Sequence, residues 1–341
     1  MDPLKPDETF NHQFAYSSKG HGGQRLRIHY VDQGPKNGDV IVCLHGFPGL
    51  WYDFRYQIPA LVQKGYRVFS FDLPGYGQSD APTANDHESL KIYSFKSVGA
   101  IVLDIVESVA GAKQVILLQH DWGGALGYRM ALHYPDRIKG IMSVCTPYQP
   151  PSSEYIPLQV MVDKYLPQFD YQLWYEKPET DAELEANVEF FFRGTMRGKE
   201  ESPGIMRIPP SGLHNVPRDI KLSKYISRQE LDYYVRHYTQ RKFHGSLNWY
   251  RTRKINFDDE LSLPKTLPIP VLMVVAMHDP SLKPAMAEIM KDKKLVPQLT
   301  MKQVDSSHWV MWEAKAVLNS ILSQWLDDNK AKLADSSKNK L

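Results

Sequence analysis

Apolar and polar positions alternate between two periods from Leu26 to Cys145. Leu26, Ile28 and Tyr30 fall on every second residue, the pattern of a half-exposed strand over 24–31. Val40-Ile41-Val42-Cys43-Leu44 is a continuous apolar run, which predicts a strand buried on both faces. Val68–Phe71 predicts another strand. Val98, Ile101, Val102 and Ile105 share one face of a helix predicted over 95–109. A strand at 115–118, a helix from Trp122 and a strand at Ile138–Cys145 complete this part. Strands alternating with helices imply a mostly parallel sheet covered on both faces.

The texture changes after Thr146-Pro147. Residues 148–255 lack buried-strand runs and are rich in Tyr, Pro and charge. Thr180-x-x-Glu183 and Ser227-x-x-Glu230 each match a capping box ahead of helix-spaced apolar residues. This stretch predicts a helical cap inserted into one α/β domain. Strand character returns at Pro270–Val275, followed by a helix at 283–291, a strand near 298–304 and an amphipathic helix at 310–326. The core is expected at 1–147 and 256–341, the cap at 148–255, and 329–341 is expected to fray.

Composition narrows the class only slightly. The chain has 341 residues, 42% hydrophobic and 23% charged, which is ordinary for a globular protein. Its net charge of +2 offers no bulk attraction for nucleic acid or an anionic membrane. Short basic clusters such as Arg251-Thr252-Arg253-Lys254 are expected on a solvated face. The two cysteines, Cys43 and Cys145, sit in apolar runs and are expected as buried thiols in a reducing compartment. No apolar stretch approaches a membrane span, and the first residues carry no apolar signal core. A cytoplasmic location is expected. The final Asn339-Lys340-Leu341 only loosely matches a peroxisomal address, in which Asn fits poorly.

The chemistry centres on His120-Asp121-Trp122-Gly123-Gly124, between the 115–118 strand and the next helix. A strand, a sharp turn and a helix in that order push one side chain out at the tip as a nucleophile. Here that side chain is Asp121. A carboxylate nucleophile suits attack on a saturated carbon, giving an alkyl ester. The helix N-terminus is expected to keep Asp121 ionised. His45-Gly46-Phe47-Pro48 follows the 40–44 strand and can aim the Phe47 N–H at the same point as the Trp122 N–H, an oxyanion hole. Ester hydrolysis needs a base. His308, just before the last helix, fits that role in the chain order nucleophile, acid, histidine. Asp279, in the loop after the 270–276 strand, is the expected acid partner, with Asp305 as its competitor.

These features together resemble the epoxide hydrolase branch of the α/β-hydrolase superfamily, from about residue 20 to about residue 328. Phe71–Ser79 is similar to the family's strand-to-loop stretch, and Phe169-Asp170-Tyr171-Gln172 and Asn248-Trp249-Tyr250-Arg251 to the cap stretches that carry its ring-opening tyrosines. The resemblance implies an α/β-hydrolase fold, with a mostly parallel central sheet flanked by helices and an inserted helical cap. It implies that Tyr171 and Tyr250 donate to the epoxide oxygen. Tyr175, Tyr233 and Tyr234 are expected to pack the cap. Gln119 departs from the pattern, since a small residue is usual two positions before the nucleophile. The implied substrates are a small apolar epoxide and water, the apolar end meeting Phe47, Trp122 and Trp309. No cofactor or metal is implied, and oligomeric state, a homodimer included, stays open. Two other readings remain: a haloalkane dehalogenase, which needs no cap tyrosines, and a non-catalytic ligand receptor. No Arg lies beside Asp121 in sequence to clamp a haloacid.

Overall fold

In the computed structural model, residues 1–201, 208–214 and 216–334 are described. Eight strands form one sheet: β1 (His12–Ser17), β2 (Leu26–Gln33), β3 (Val40–Leu44), β4 (Arg67–Phe71), β5 (Val115–His120), β6 (Ile138–Val144), β7 (Val271–Ala276) and β8 (Leu299–Val304). Their order is β1-β2-β4-β3-β5-β6-β7-β8. The first two pairings are antiparallel and the rest parallel. Every residue of β3, β5, β6 and β7 is buried, as expected of parallel strands with helices on both faces. Helix Phe95–Ala110 packs on helix Trp122–His133, and helix Lys315–Asp328 on helix Gln57–Gln63. The first of these starts where Ser94 accepts from the Ser97 N–H and stops at Gly111 in the left-handed region.

Strand order reverses at β3, which pairs with β4 on one side and β5 on the other. Loops leaving β3 and β5 therefore open a crevice at the carboxyl ends of the strands, where open α/β sheets bind ligands. The loops after β7 and β8 leave the same edge.

Helices between Leu158 and Glu260 occupy the stretch between β6 and β7. Helix Arg228–Arg241 ties them to the core. The Ser227 hydroxyl accepts from the Glu230 N–H, and the Glu230 carboxylate accepts from the Ser227 N–H, the expected box. Glu230 also pairs with buried Arg55 at 2.7 Å. The Trp51 indole donates to the Tyr233 hydroxyl (2.8 Å), and Tyr234 donates to Asp53 (2.7 Å).

The structure corrects several expectations. β2 is buried along most of its length, because a strand without alternating apolar residues, β1, pairs along its outer edge. Thr180 is not a cap: Pro178 opens that helix earlier, and the Thr180 hydroxyl donates to the Trp174 carbonyl. Glu183 instead accepts from the Leu213 N–H (2.6 Å) and the Trp174 indole (3.2 Å). The apolar pattern at 310–326 breaks at Ala314 into two helices. Residues Lys330–Ala334 are helical, with Leu333 buried, rather than frayed. Asn339-Lys340-Leu341 lie outside the described residues. Cys43 and Cys145 are both buried and unpaired. The 251–254 cluster is not a solvated face: Thr252 is buried, Arg251 pairs with Asp181 at 2.6 Å and Arg253 lines a cavity. No helix among the described residues is long and apolar enough to cross a membrane.

Candidate active site

Asp121 follows the last residue of β5 with φ at 51°, so the chain turns sharply into helix Trp122–His133. The turn works only if neighbouring backbone comes close. A Cβ on Gly46 would lie 2.1 Å from Asp121 Oδ1, and one on Gly123 would lie 2.1 Å from the Leu44 carbonyl. Glycine at both positions lets β3, its loop and the helix N-terminus meet around the carboxylate.

The Phe47 N–H donates to Asp121 Oδ1 at 2.8 Å, and the Trp122 N–H, at the start of the helix, also favours the charged carboxylate. His45 fixes the Phe47 loop. Its Nδ1–H donates to the Gly46 carbonyl (2.8 Å) and its Nε2 accepts from the Leu73 N–H (3.1 Å). Burial holds this ring neutral, with its pKa lowered to about 4.

Asp279 Oδ2 lies 2.7 Å from His308 Nδ1, and its Oδ1 accepts from the Ser281 and Leu282 N–H groups at 2.9 Å each. His308 Nε2 faces Asp121 Oδ2 at 3.9 Å. Asp305, the competitor, turns away to His278 (2.8 Å) and Lys199.

Charge states follow from burial and pairing. Burial pushes Asp121 above the ordinary carboxylate range, although His308 and the Phe47 and Trp122 N–H groups pull it back. The N–H groups at the turn and the helix start therefore offset part of the cost of burying this charge. For Asp279 burial also acts upward, but His308 and two N–H donors win and hold it low. For His308 burial acts downward, and the carboxylates of Asp279 and Asp121 outweigh it, leaving the ring raised.

Asp121, His308, Phe47, Tyr171, Tyr250 and Trp309 line one cavity of about 390 Å³. Tyr250 packs edge-on against Phe47 (5.4 Å) and Trp122 (5.0 Å). Tyr171 receives a long contact from the Gln172 amide at 3.5 Å. Burial raises both phenols, and the Asp121 charge raises them further. Both are neutral O–H groups at neutral pH. The Trp309 indole is committed to the Thr195 carbonyl at 2.7 Å. The Trp122 side chain points away from this cavity and lines a second one, of about 210 Å³, which also reaches Asp121 and Tyr171.

Three contributors escaped the sequence. Tyr175, expected as packing, lines the first cavity and lies 4.8 Å, ring to ring, from Tyr250. His120 Nε2–H (2.9 Å) and the Cys145 thiol (3.2 Å) both donate to the His308 carbonyl, steadying the loop that presents the imidazole. Position beside Asp121 was the only available signal for His120, and there was none for Cys145.

Gln119 points into the elbow. Its amide donates to the Gly124 carbonyl (3.1 Å) and the Ser143 hydroxyl (3.2 Å). A Cβ on Gly127 would lie 1.8 Å from Gln119 Oε1, so the large residue is matched by a glycine on the facing helix. Gly127→Ala is expected to destabilise the protein by about 1–2 kcal/mol by overpacking. In a Gln119→Ala background the same change is expected to be neutral or stabilising by up to about 1 kcal/mol, the helix-propensity gain of Ala over Gly. Urea unfolding of the four proteins in this cycle measures the coupling.

Comparisons with known proteins identify the family of this fold. The family described as alpha/beta hydrolase fold matches residues 39–315. Bifunctional epoxide hydrolase 2 of Mus musculus is 33% identical over 95% of the chain, which spans 56% of that relative's length. Epoxide hydrolase srdG of Neurospora crassa is 32% identical, over 88% of this chain and 92% of that one. A solved epoxide hydrolase from an endophytic Streptomyces superposes with a TM-score of 0.81 at 26% identity, covering 95% of this chain and 97% of that one. By the family match and by a relative matched over nearly its whole length, the chain belongs to the epoxide hydrolases of the α/β-hydrolase superfamily.

Proposed function

We propose that this protein hydrolyses epoxides to vicinal diols through an ester on Asp121. The observation that carries this reading is the shared cavity: a largely buried carboxylate with one oxygen held by the Phe47 N–H, and two neutral phenols lining the same space. Asp121 Oδ2 attacks a ring carbon while the ring C–O bond breaks. The departing alkoxide stays attached to the substrate and is a poor leaving group unless protonated. Tyr171 and Tyr250 supply the hydrogen bonds and the proton. A halide leaving group needs no proton, so the paired phenols favour an epoxide over a haloalkane.

Water then attacks the ester carbonyl, giving its proton to His308 Nε2. The 3.9 Å between that nitrogen and Asp121 Oδ2 exceeds a hydrogen bond, and the base works on water rather than on the carboxylate. The Phe47 N–H, already bonded to the carboxylate, and the Trp122 N–H beside it hold the tetrahedral oxyanion. Collapse frees the diol, whose leaving oxygen takes the proton back from His308, and the proton left on the regenerated Asp121 carboxyl restores the one that the tyrosines gave up.

The test is a single turnover in heavy-oxygen water, with enzyme in excess over styrene oxide. The first diol should carry no label, because its new oxygen comes from Asp121, and the label should appear in the Asp121 carboxylate. Label in the first diol would mean direct attack by water. Bromoalkane turnover with epoxides untouched would assign a dehalogenase, and no turnover of either a ligand receptor. Tyr171→Phe or Tyr250→Phe is expected to slow ester formation by roughly 10²-fold each, the usual cost of losing one donor to a developing oxyanion. Rapid-quench measurement of the ester separates this from an effect on hydrolysis.

A further inference from the structure

The loop that presents His308 is held from the cap as well as from the core, through a carboxylate that the reaction above does not use. Glu313 closes the short helix Val310–Glu313 that follows this loop. Its Oε2 accepts from the Ser307 N–H and from the Ser306 hydroxyl, at 2.9 Å each. Its Oε1 accepts from the Lys199 N–H, also at 2.9 Å. Lys199 belongs to the cap, shortly past the end of helix Val188–Thr195. Two further contacts join the same stretches. The Trp309 indole donates to the Thr195 carbonyl (2.7 Å), and the Lys199 ammonium pairs with Asp305. Thr195 and His308 line one cavity, so this edge of the cap and the base face the same reacting space.

Ser306 and Ser307 are buried and stand immediately before the base. Without Glu313 their donors would lie unpaired away from water, and the loop would shift to satisfy them. A glutamine there could not replace the carboxylate, because one of its two arms is a donor and would face an N–H. His308 has to meet Asp279 with Nδ1 and water with Nε2 at once, and a misplacement of about 1 Å in such a geometry costs on the order of 10²-fold. The nucleophile is held separately, by the Phe47 N–H. The rest of the cap is tied to the core through Arg55, Asp53 and Trp51. We propose that Glu313 is a positioning residue for ester hydrolysis: it bridges the cap at Lys199 to the loop at Ser306-Ser307, so that His308 is aligned as a base only while this edge of the cap is seated. The proposal rests on the two-step epoxide reading.

The test follows both chemical steps by rapid quench with styrene oxide in the wild type, Glu313→Gln, Lys199→Pro and Lys199→Ala. Glu313→Gln should slow decay of the Asp121 ester by roughly ten- to a hundredfold while the ester forms at the wild-type rate, so that ester accumulates during turnover. Lys199→Pro deletes the N–H that the cap contributes and should also slow decay. Lys199→Ala deletes only the surface ion pair with Asp305 and should leave decay unchanged. Because the two groups act through one bridge, Glu313→Gln combined with Lys199→Pro should slow decay by less than the product of the single effects. Unchanged decay in Glu313→Gln, or formation falling in step with decay there, overturns the proposal. So does normal decay in a folded Lys199→Pro protein, or the same loss in Lys199→Ala. An NMR readout needs no substrate and decides the alignment even where Lys199→Pro does not fold: the His308 Nδ1–H resonance should shift and broaden in Glu313→Gln but not in Lys199→Ala, and an unmoved resonance overturns the proposal. Failure of the parent reading looks different, since no ester would form on Asp121 in the wild type while the resonance would still respond to Glu313→Gln.

Discussion

Asp121→Ala is expected to lower diol formation by on the order of 10⁴-fold or more, because no other group at the elbow can form the ester. The residual rate would come from the tyrosines, the histidine and binding alone. The fold should survive the change. The substitution removes a buried carboxylate whose ionisation is disfavoured by its surroundings, and this offsets the strain of placing Ala at a φ of 51°. Asp121→Asn tolerates that backbone better and is the companion variant. Diol formation followed by chromatography, with mass spectrometry to show that no adduct forms, measures the effect. Near-wild-type turnover in a properly folded Asp121→Ala protein would remove Asp121 from the mechanism.

His308→Gln should behave differently. Ester formation needs Asp121 and the tyrosines, so one equivalent of epoxide should add to Asp121 and remain there. Steady-state turnover should fall by on the order of 10³-fold, the span of general-base catalysis. Intact-protein mass spectrometry should show an increase equal to the whole epoxide, mapped by digestion to the peptide holding Asp121. In the wild type, the acid limb of this step has a definite sign. His308 acts as a base only when neutral, and in the free protein the charges of Asp279 and Asp121 raise its pKa despite burial. Esterification cancels the Asp121 charge, so the ring loses one of its raising influences. Breakdown of the adduct should lose rate as pH falls, with a midpoint below that of His308 in the free protein. Rapid-quench measurement of wild-type adduct decay across pH, set beside an NMR titration of His308, checks this. A midpoint equal to or above the free value would mean that Asp121 does not bias the base.

The two variants separate roles that the geometry only juxtaposes: the nucleophile is lost with no adduct, the base with a stable one. Tyrosine variants fall between, slowing adduct formation while leaving its decay intact.

Much of this site was legible in the sequence because its signals are local. An apolar run, a turn and a helix start place Asp121 at an elbow with no knowledge of the rest of the chain. The run before His45 and the loop before the last helix mark the oxyanion turn and His308 in the same way. What adjacent residues cannot encode is burial and long-range pairing. Asp279 rather than Asp305 meets His308 because β7 and β8 lie side by side and end together, which is a property of the sheet. Asp121 is raised in pKa because distant parts of the chain bury it, against the local influence of the N–H groups at its turn. Arg253 looked like part of a solvated basic cluster, and only the tertiary packing puts it on the wall of a cavity that Asp121 also lines. Gln119 looked like a defect until Gly127 was seen facing it. The sequence by itself determined which chemical groups stand at which strand ends. The tertiary structure decided their charge, their partners and the shape of the space between them, because those depend on which distant surfaces exclude water.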